Sequence, residues 1–279
     1  MEERISVRLI DIAGDIARKF DYLEYRNQEQ VKYIKHNNLR DVVIDLDIEI
    51  HNLLSNFCAT HYPNTFFLSE ESTDSSYSWK KIVKSDSIMV VDPLDGSNNV
   101  VCGIQEFGFM ACVVERAKFV ESLVVLPHEN QIISWSKDFG VVSSRKIPTR
   151  KNPSASTYLA YSPQLSKELI ESRLAIMSLL DGASAGVYRY GSACVGLFRT
   201  LTGAHSTFIG LEMRPWDVIS FFPILASSGA NIAYLASDTD ISVCISYDHD
   251  LFLQGKKLLS EINGDFQDFY LPDALVMMR

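Results

Sequence analysis

An apolar strand that runs directly into an acidic turn restricts the fold of this chain more than any other stretch. Residues 87–91 read Ser-Ile-Met-Val-Val, and β-branched and apolar residues favour a buried strand. The strand is followed by Asp92, Pro93, Leu94, Asp95, Gly96, Ser97, Asn98 and Asn99. Pro93 has a fixed φ angle and no N–H group, so it sets the direction in which the chain leaves the strand. The pattern predicts a turn in which the carboxylates of Asp92 and Asp95 converge on one point.

Two carboxylates that converge in this way repel each other unless a cation lies between them. Oxygen ligands, here the two carboxylates and the Leu94 carbonyl, favour a hard cation such as Mg²⁺. Gly96 allows a ligand to approach the backbone closely, and the N–H groups of Gly96 and Ser97 at the start of a short helix would suit a phosphate. The alternative is a plain turn, because Asp, Pro, Gly, Ser and Asn are the usual turn residues.

Two further acidic segments reduce the weight of the plain-turn interpretation. Glu70 and Glu71 follow a short strand predicted at residues 65–68, and Asp217 follows Trp216 at the start of an apolar helix. Each has a simpler explanation when it is taken alone. Adjacent glutamates after a strand are usually solvated, and the helix dipole favours an aspartate at a helix N-terminus.

The order of predicted elements divides the chain into an α+β half and an α/β half. Helices are predicted at residues 5–22 and 46–58, and strands at residues 65–68, 87–91, 108–114, 119–126 and 131–135. The polar stretch at residues 143–156 is the best linker candidate, so the predicted domains are residues 1–150 and 151–279. In the second half, strands are predicted at residues 157–161, 187–190, 206–209, 231–235 and 241–245, and helices at residues 164–180, 191–201, 216–228 and 251–262.

Composition and charge exclude several classes of protein. Hydrophobic residues make up 47% of the 279 residues, enough for a large core, and the formal net charge of −9 argues against a nucleic-acid binder. The chain starts without an apolar stretch behind a basic flank, and Pro, Ser, Gly and Asn interrupt the uncharged window at residues 218–237. Neither a signal peptide nor a membrane span is therefore expected. The five cysteines show no zinc spacing, which is typical of reduced thiols in a cytoplasmic protein.

The acidic segments, in this order, resemble the inositol monophosphatase family, whose superfamily also contains fructose-1,6-bisphosphatases and 3′(2′),5′-bisphosphate nucleotidases. The family pattern is G-E-E, then D-P-[IL]-D-G-[TS]-x-N, then G-[ST]-A, then W-D. This chain has Ser69-Glu70-Glu71, residues 92–99, Gly191-Ser192-Ala193 and Trp216-Asp217 at those places. The resemblance implies an α+β fold of the sugar-phosphatase type. That fold is a layered α/β/α/β/α sandwich of two subdomains with the active site between them.

The resemblance also implies a role for each matching residue. The implied metal ligands, which would hold two or three Mg²⁺ ions, are Glu70, Asp92, the Leu94 carbonyl, Asp95 and Asp217. Glu70 and Ser97 would orient or deprotonate the attacking water. Asp45 matches the acidic position of the family's T-x-x-D-x-x-x-E segment, with Glu49 four residues on and Asp47 as a competing match in another register. The implied substrate-binding residues are Asp95, Gly96, Ser97, Gly191, Ser192 and Ala193.

The implied activity is hydrolysis of a small phosphate monoester by metal-activated water, most similar to that of an inositol monophosphatase and inhibited by lithium. One alternative is a bisphosphate nucleotidase or fructose-1,6-bisphosphatase, whose second phosphate would need Arg189, Arg199 or Arg214. Another is a non-catalytic member that binds a regulatory partner. The implied partners are a small phosphorylated metabolite and a second copy of the chain in a homodimer, and neither nucleic acid nor membrane is expected.

Three positions depart from the family pattern. Ser69 replaces the glycine before the glutamates, and Val42 replaces the threonine of the T-x-x-D segment. Gly210 stands seven residues before the W-D aspartate, where inositol monophosphatases have a glutamate that contacts the inositol hydroxyls. Glu212 is a candidate replacement for that glutamate. The metal and phosphate residues are complete, whereas specificity for inositol is left open.

Overall fold

The computed structural model describes residues 8–21, 31–35, 42–72, 79–147, 156–161, 176–178, 180–182 and 184–271. Two six-stranded sheets and a separate pair of strands form the framework of this part of the chain. The predicted domain boundary near residue 150 lies outside the described residues and stays a prediction. Most of the helix predicted at residues 164–180 also lies outside them, while residues 176–178 and 180–182 are helical.

The first sheet is built from strands that follow one another in the chain. Its order is β3 (Phe66–Ser69), β4 (Ser87–Asp95), β5 (Gly108–Glu115), β6 (Lys118–Leu126), β7 (Gln131–Ser136) and β8 (Gly140–Ser143). β3 runs parallel to β4, and the other neighbours are antiparallel. β1 (Val31–Ile34) and β2 (Val42–Ile44) form the separate antiparallel pair. The five strands predicted for this half are confirmed, whereas β1, β2 and β8 were not predicted.

β4 continues past Asp92, where the sequence predicted its end, as far as Asp95. Its register on β5 shifts between these two residues, which pair with Met110 and Gly108. Pro93 lies inside the shift, and because it has no N–H group it cannot donate to a regular ladder. Both carboxylates therefore belong to the irregular end of one buried strand.

The second sheet mixes parallel and antiparallel neighbours. Its order is β10 (Val187–Tyr188), β9 (Thr157–Tyr161), β11 (Thr207–Met213), β13 (Ile241–Ser246), β12 (Asn231–Ala236) and β14 (Gln267–Phe269). β9 is parallel to β10 and β11, and the remaining neighbours are antiparallel. The short edge strand β14 was not predicted.

The α-helices are α1 (Ala13–Asp21), α2 (Asp45–His61), α3 (Trp79–Lys84), α4 (Ser97–Val101), α5 (Ala193–Leu201), α6 (Phe222–Ser227) and α7 (His249–Asn263). The prediction of one helix over residues 216–228 was wrong, because two 3₁₀ turns, Pro215–Asp217 and Ile219–Phe221, precede a short α6. Pro223 explains the break, since proline is tolerated only in the first turn of a helix and it stands second in α6. Asp217 consequently lies in a tight turn.

Three groups of buried apolar side chains show how the layers stack. Met89 on β4 points to one face of the first sheet and packs with Leu54 of α2, in a core that also includes α1. Val90 points to the opposite face and joins Phe198 of α5 in a larger core between the two sheets. Cys244 of β13 lies in the third core, on the outer face of the second sheet beneath α7. The α/β/α/β/α arrangement is therefore confirmed.

Within the described residues, every helix falls short of the length and apolar character needed to span a membrane. The uncharged window at residues 218–237 is divided instead among a 3₁₀ turn, α6 and β12.

Candidate active site

Three carboxylates from separate parts of the chain meet at the end of β4. Glu70 directly follows β3, the parallel neighbour of β4, and its N–H donates to the Val91 carbonyl at 3.1 Å. Asp92 is buried on β4, and Asp217 ends the 3₁₀ turn that follows β11. One carboxylate oxygen from each of the three lies within 4.8 Å of the others. Such a group of oxygens is suited to a hard metal ion.

Asp95 is held against the start of α5. Its Oδ2 accepts hydrogen bonds from the Ser192 hydroxyl at 2.5 Å and from the Cys194 N–H at 2.7 Å. Ser192 is also the N-cap of α5, because its Oγ accepts from the Val195 N–H. Ala193, the next predicted residue, is the first residue of α5 and is buried. Two predicted segments, one from each half of the chain, are thus joined directly.

Gly96 and Gly191 each occupy a position that a side chain could not fill. Gly96 has a φ of 102°, and a Cβ atom there would lie 2.9 Å from the Glu106 carbonyl oxygen. Gly191 has a φ of 81°, and a Cβ atom would lie 2.8 Å from Asn99 Oδ1. Asn99 donates from Nδ2 to the Tyr190 carbonyl at 2.7 Å. The two glycines therefore allow backbone segments from both halves to pack closely beside the carboxylates.

Of the two acidic candidates on α2, Asp47 is buried beside Ser97 and Asp45 is exposed. Asp45 is the first residue of α2, and its exposed carboxylate pairs with Lys32 at 2.7 Å. Asp47 is 1% exposed, and its Oδ1 accepts from Ser97 Oγ at 2.9 Å. Its Oδ2 accepts from the Ile44 N–H at 2.7 Å. The helix starts at Asp45 and leaves that side chain in solvent, so the geometry favours Asp47 over Asp45 for the acidic position of the family segment, and the role of either residue stays a prediction.

A register set by Asp47 changes how the neighbouring positions match the family segment. The threonine position moves from Val42 to Ile44, and the glutamate position moves from Glu49 to His51. A sequence signal for this register was present, since an acidic residue at the third position of a helix commonly accepts from the N-cap N–H. Ile44 is the N-cap of α2 and Asp47 makes that contact.

Ser97 joins Asp47 to the end of β4. Its Oγ lies 2.9 Å from Asp47 Oδ1 and 3.0 Å from the Leu94 carbonyl oxygen. The predicted ligand Leu94 is itself buried. The structure thus places a hydroxyl between a buried carboxylate and one of the predicted backbone ligands.

Burial and mutual repulsion raise the pKa values of the clustered carboxyls. Burial is the largest cause of the raised pKa of Asp92, followed by repulsion from Glu70, Asp95 and Asp217. Burial, then Glu70 and Asp95, raise the pKa of Asp217 in the same way. A cluster of hard oxygen donors that repel one another is stabilised by a divalent cation. The donor set therefore fits Mg²⁺.

Lys35 contacts both glutamates of the acidic turn, and no sequence pattern indicated this residue. Its Nζ lies 2.9 Å from Glu70 Oε1 and 2.7 Å from Glu71 Oε1. Burial opposes the lysine charge, but the two glutamates outweigh it and raise the pKa of Lys35. This residue follows the exposed strand β1, where no hydrophobic periodicity marks a functional position.

Metal-free protein is expected to lose stability as the pH rises from about 4 to about 7. Burial raises the pKa of Asp95 to about 6 and that of Glu71 to about 7. The folded state thus retains protons that the unfolded state has already released, so the free energy of unfolding falls over this range. In EDTA, the melting temperature should drop by about 5 °C between pH 5 and pH 7. Saturating Mg²⁺ should reduce the drop. A melting temperature that rises over this pH range would contradict the raised pKa values of the buried carboxyls.

Gly210 lies inside β11 and has no room for a side chain. A Cβ atom at this position would lie 2.9 Å from both Met213 and Val243. Glu212 has a φ of 45° where the register of β11 on β13 shifts, and its N–H donates to Ser242 Oγ at 3.0 Å. A packed glycine therefore stands at the glutamate position of inositol monophosphatases, and the use of Glu212 in its place stays a prediction.

The arginines considered for a second phosphate all make other contacts. Their partners are Glu129 for Arg199, Asp240 at 2.7 Å for Arg214, and the ring and hydroxyl of Tyr161 for Arg189. These contacts favour structural roles for the three guanidinium groups.

Comparisons of the sequence with known proteins find matches over most of the chain. A sequence model described as the inositol monophosphatase family matches residues 3–259. The chain is 23% identical over 239 residues to the putative Nus factor SuhB of Neisseria meningitidis serogroup B, which covers 82% of this chain and 88% of that protein. It is 25% identical over 199 residues to the fructose-1,6-bisphosphatase/inositol-1-monophosphatase of Aquifex aeolicus, which covers 69% of this chain and 71% of that protein.

The fold is also found among solved structures. The crystal structure of an IMPase/NADP phosphatase complexed with Mg²⁺ and phosphate matches with a TM-score of 0.71 at 18% identity, covering 94% of this chain and 96% of that one. This likeness establishes the fold, and the sequence match over nearly the whole chain establishes the family. The chain belongs to the inositol monophosphatase family.

Proposed function

We propose that this protein is a Mg²⁺-dependent phosphatase that hydrolyses a small phosphate monoester. The observation that carries the proposal is the convergence of Glu70, Asp92 and Asp217, whose carboxylate oxygens lie within 4.8 Å of one another. Asp95 lies further along the same strand, and Gly96 precedes the first turn of α4. A carboxylate cluster beside backbone N–H groups is what metal-assisted hydrolysis of a phosphate ester needs. The IMPase/NADP phosphatase of the same fold was crystallised with Mg²⁺ and phosphate.

The acidic residues of the two halves would share the metal ions. The proposed ligands are Glu70, Asp92, the Leu94 carbonyl, Asp95 and Asp217. When bound, Mg²⁺ lowers the pKa of water and offsets the charge of a phosphate. Because Asp217 comes from the second half of the chain, the metal site depends on how the two halves pack.

Ser97 and Asp47 would orient the attacking water. Ser97 Oγ donates to Asp47 at 2.9 Å, which leaves its oxygen lone pairs to accept a hydrogen bond from that water. Asp47 is fixed in turn by the Ile44 N–H. Glu70 lies at the end of the neighbouring strand, where it can take the proton that the water loses.

The substrate that this site fits best carries a single phosphate. Arg199 and Arg214 are each paired with a carboxylate, and Arg189 lies against the ring and hydroxyl of Tyr161, so a second phosphate would have to break one of these contacts. Gly191, Ser192 and Ala193 would line the side from which the leaving group departs. Because Gly210 stands where the family glutamate contacts the inositol hydroxyls, selection for inositol is not expected, and we propose a compact polyol or sugar monophosphate, with inositol monophosphate as one member of that class.

Phosphate release from a panel of esters tests this proposal. The monophosphates are inositol 1-phosphate, glycerol 2-phosphate and several sugar phosphates, and the bisphosphates are fructose 1,6-bisphosphate and 3′-phosphoadenosine 5′-phosphate. With millimolar Mg²⁺, the best monophosphate should exceed both bisphosphates by about tenfold or more in kcat/KM. A bisphosphate as the best substrate would contradict the choice of substrate class but not the metal mechanism.

We also propose that the protein is a cytoplasmic homodimer whose activity lithium inhibits. Val101 ends α4, Ile104 lies three residues further on, and Tyr188 lies on β10, and all three side chains are exposed. They are close in the chain to Asn99 and Tyr190, which contact each other, and exposed apolar side chains favour burial between subunits. Sedimentation equilibrium should give twice the mass of one chain, and a monomer at micromolar concentration would contradict this.

A regulatory function is the second candidate, because some curated relatives are named Nus factors rather than enzymes. A protein of this kind would keep the carboxylates while acting by binding another protein. The panel distinguishes the two functions. Absence of release from every ester, at Mg²⁺ concentrations that raise the melting temperature, would favour the regulatory candidate.

A further inference from the structure

We propose that His51 and Ser69 act as a positioning pair that fixes the Glu70 turn to α2 and so sets the affinity of the site for its metal. This inference rests on the proposed function, because it assigns the pair to the same metal site. Neither residue belongs to the ligand set, and both depart from the family pattern once Asp47 sets the register.

Helix α2 reaches both turns that carry the acidic residues. Asp47 and His51 are four residues apart in α2 and therefore lie on the same side of the helix. Asp47 contacts Ser97, which follows the end of β4. His51 Nδ1 lies 3.0 Å from the Oγ of Ser69, the last residue of β3. One helix face thus holds the ends of two neighbouring strands.

The Ser69 hydroxyl is placed to fix the turn that carries Glu70. Ser69 is 2% exposed, and its Oγ accepts from the Glu71 N–H at 3.3 Å. The turn is closed from both sides, since the Ser69 N–H donates to Ser72 Oγ and the Ser72 N–H donates to the Ser69 carbonyl. Ser69 Oγ can donate to His51 Nδ1 while it accepts from Glu71. Glu70 lies at the centre of this closed turn.

The two residues that depart from the family pattern, His51 and Ser69, contact each other. The register set by Asp47 places His51 at the family's glutamate position, and Ser69 stands where the family has glycine. A glycine has no side chain to meet a residue from α2, whereas a serine supplies the hydroxyl that His51 contacts. If one replacement compensates for the other, both family residues should be replaced and the new side chains should contact each other. His51 and Ser69 meet both conditions.

Packing and hydrogen bonding by His51 can be separated by mutation. The ring of His51 packs edge-on against Phe67 with centroids 5.5 Å apart. His51→Phe keeps an aromatic ring there and removes the nitrogen that contacts Ser69. His51→Asn shortens the side chain but keeps a polar atom near the position of Nδ1. Ser69→Ala removes the hydroxyl from the other end.

The test measures the Mg²⁺ concentration that gives half of the full rise in melting temperature, because this readout does not depend on turnover. His51→Phe and Ser69→Ala should each raise that concentration about tenfold, the effect of removing groups that orient metal ligands. The double variant should be no worse than either single variant, since both break the same contact. His51→Asn should lie within about threefold of the wild type, and kcat at saturating Mg²⁺ should change much less than the metal requirement.

His61→Phe is the matched control, because His61 is an exposed histidine at the last turn of the same helix. It should leave the half-saturating Mg²⁺ concentration unchanged. A merely structural role for the pair predicts a lower melting temperature without Mg²⁺ and an unchanged metal requirement. That result, or a double variant whose effect is the product of the two single effects, would overturn the inference.

Failure of the inference can be distinguished from failure of the proposed function. If no ester is hydrolysed but the variants still raise the Mg²⁺ requirement, the phosphatase proposal fails and the positioning pair stands. If the wild type shows no Mg²⁺-dependent rise in melting temperature, there is no metal site for the pair to position. The inference then fails, whether or not any ester is hydrolysed.

Discussion

Asp92→Asn is expected to abolish phosphate release and, at the same time, to stabilise the metal-free protein. Asp92 is 1% exposed, and burial together with Glu70, Asp95 and Asp217 raises its pKa well above the usual range. The asparagine is nearly the same size and keeps an oxygen to accept from the Leu94 N–H, which Asp92 Oδ1 does at 3.1 Å. It removes the repulsion but also a metal ligand, so activity and stability should change in opposite directions.

The expected loss in kcat/KM is about a thousandfold or more, comparable with removal of a preorganised electrostatic group at other active sites. Melting curves should show a rise of a few degrees in EDTA and a much smaller response to Mg²⁺ than in the wild type. Asp86→Asn is the control, because Asp86 directly precedes β4 and is almost fully exposed. It should match the wild type in both assays. Retention of wild-type kcat by Asp92→Asn at low Mg²⁺ would show that the metal ligands are wrongly assigned.

Asp47→Asn and Asp45→Asn are expected to differ sharply, although the two residues are only two positions apart. Asp47 is buried and accepts the Ser97 hydroxyl, whereas Asp45 is exposed and paired with Lys32. An asparagine at position 47 can turn its NH₂ group towards Ser97, which would then point its own proton away and misorient the water. Misplacement of a reacting group by about 1 Å can cost about 10²-fold, so Asp47→Asn should lower kcat about a hundredfold or more.

Asp45→Asn should change kcat by less than about twofold, because exposed ion pairs contribute little. Both variants are compared at saturating Mg²⁺, so that weakened metal binding does not hide the effect on the water. Equal losses in the two variants would mean that Asp47 has no special place in the site, and a larger loss for Asp45→Asn would restore the register first expected from the sequence.

The acidic turn was predictable because its chemistry is local. Asp92, Pro93, Asp95 and Gly96 are adjacent in the chain, and each residue type restricts its own backbone or offers a ligand. Five of the six strands of the first sheet were predictable for a similar reason, since these apolar strands alternate with short polar turns. What could not be read locally is that Asp95 is fixed by Ser192 and Cys194, which are nearly one hundred residues away in the chain.

The position of Asp47 depends on where α2 begins. A helix turns by about 100° per residue, so an error of two residues moves a side chain to nearly the opposite face. The family segment fits the Asp45 register better, because Glu49 then stands at its glutamate position, and only the packing of α2 on the first sheet favours Asp47. Lys35 and the short strands β1 and β14 were missed because exposed edge segments carry no apolar periodicity.

The most direct test of the central claim is phosphate release by the wild-type protein after EDTA treatment, followed by titration with Mg²⁺. The best monophosphate of the panel is the substrate, and Asp92→Asn is measured in parallel. The carboxylate cluster predicts no release in EDTA, a saturable return of activity with Mg²⁺ in the wild type, and no return in the variant. Release that persists in EDTA, or that Asp92→Asn retains, would contradict the account.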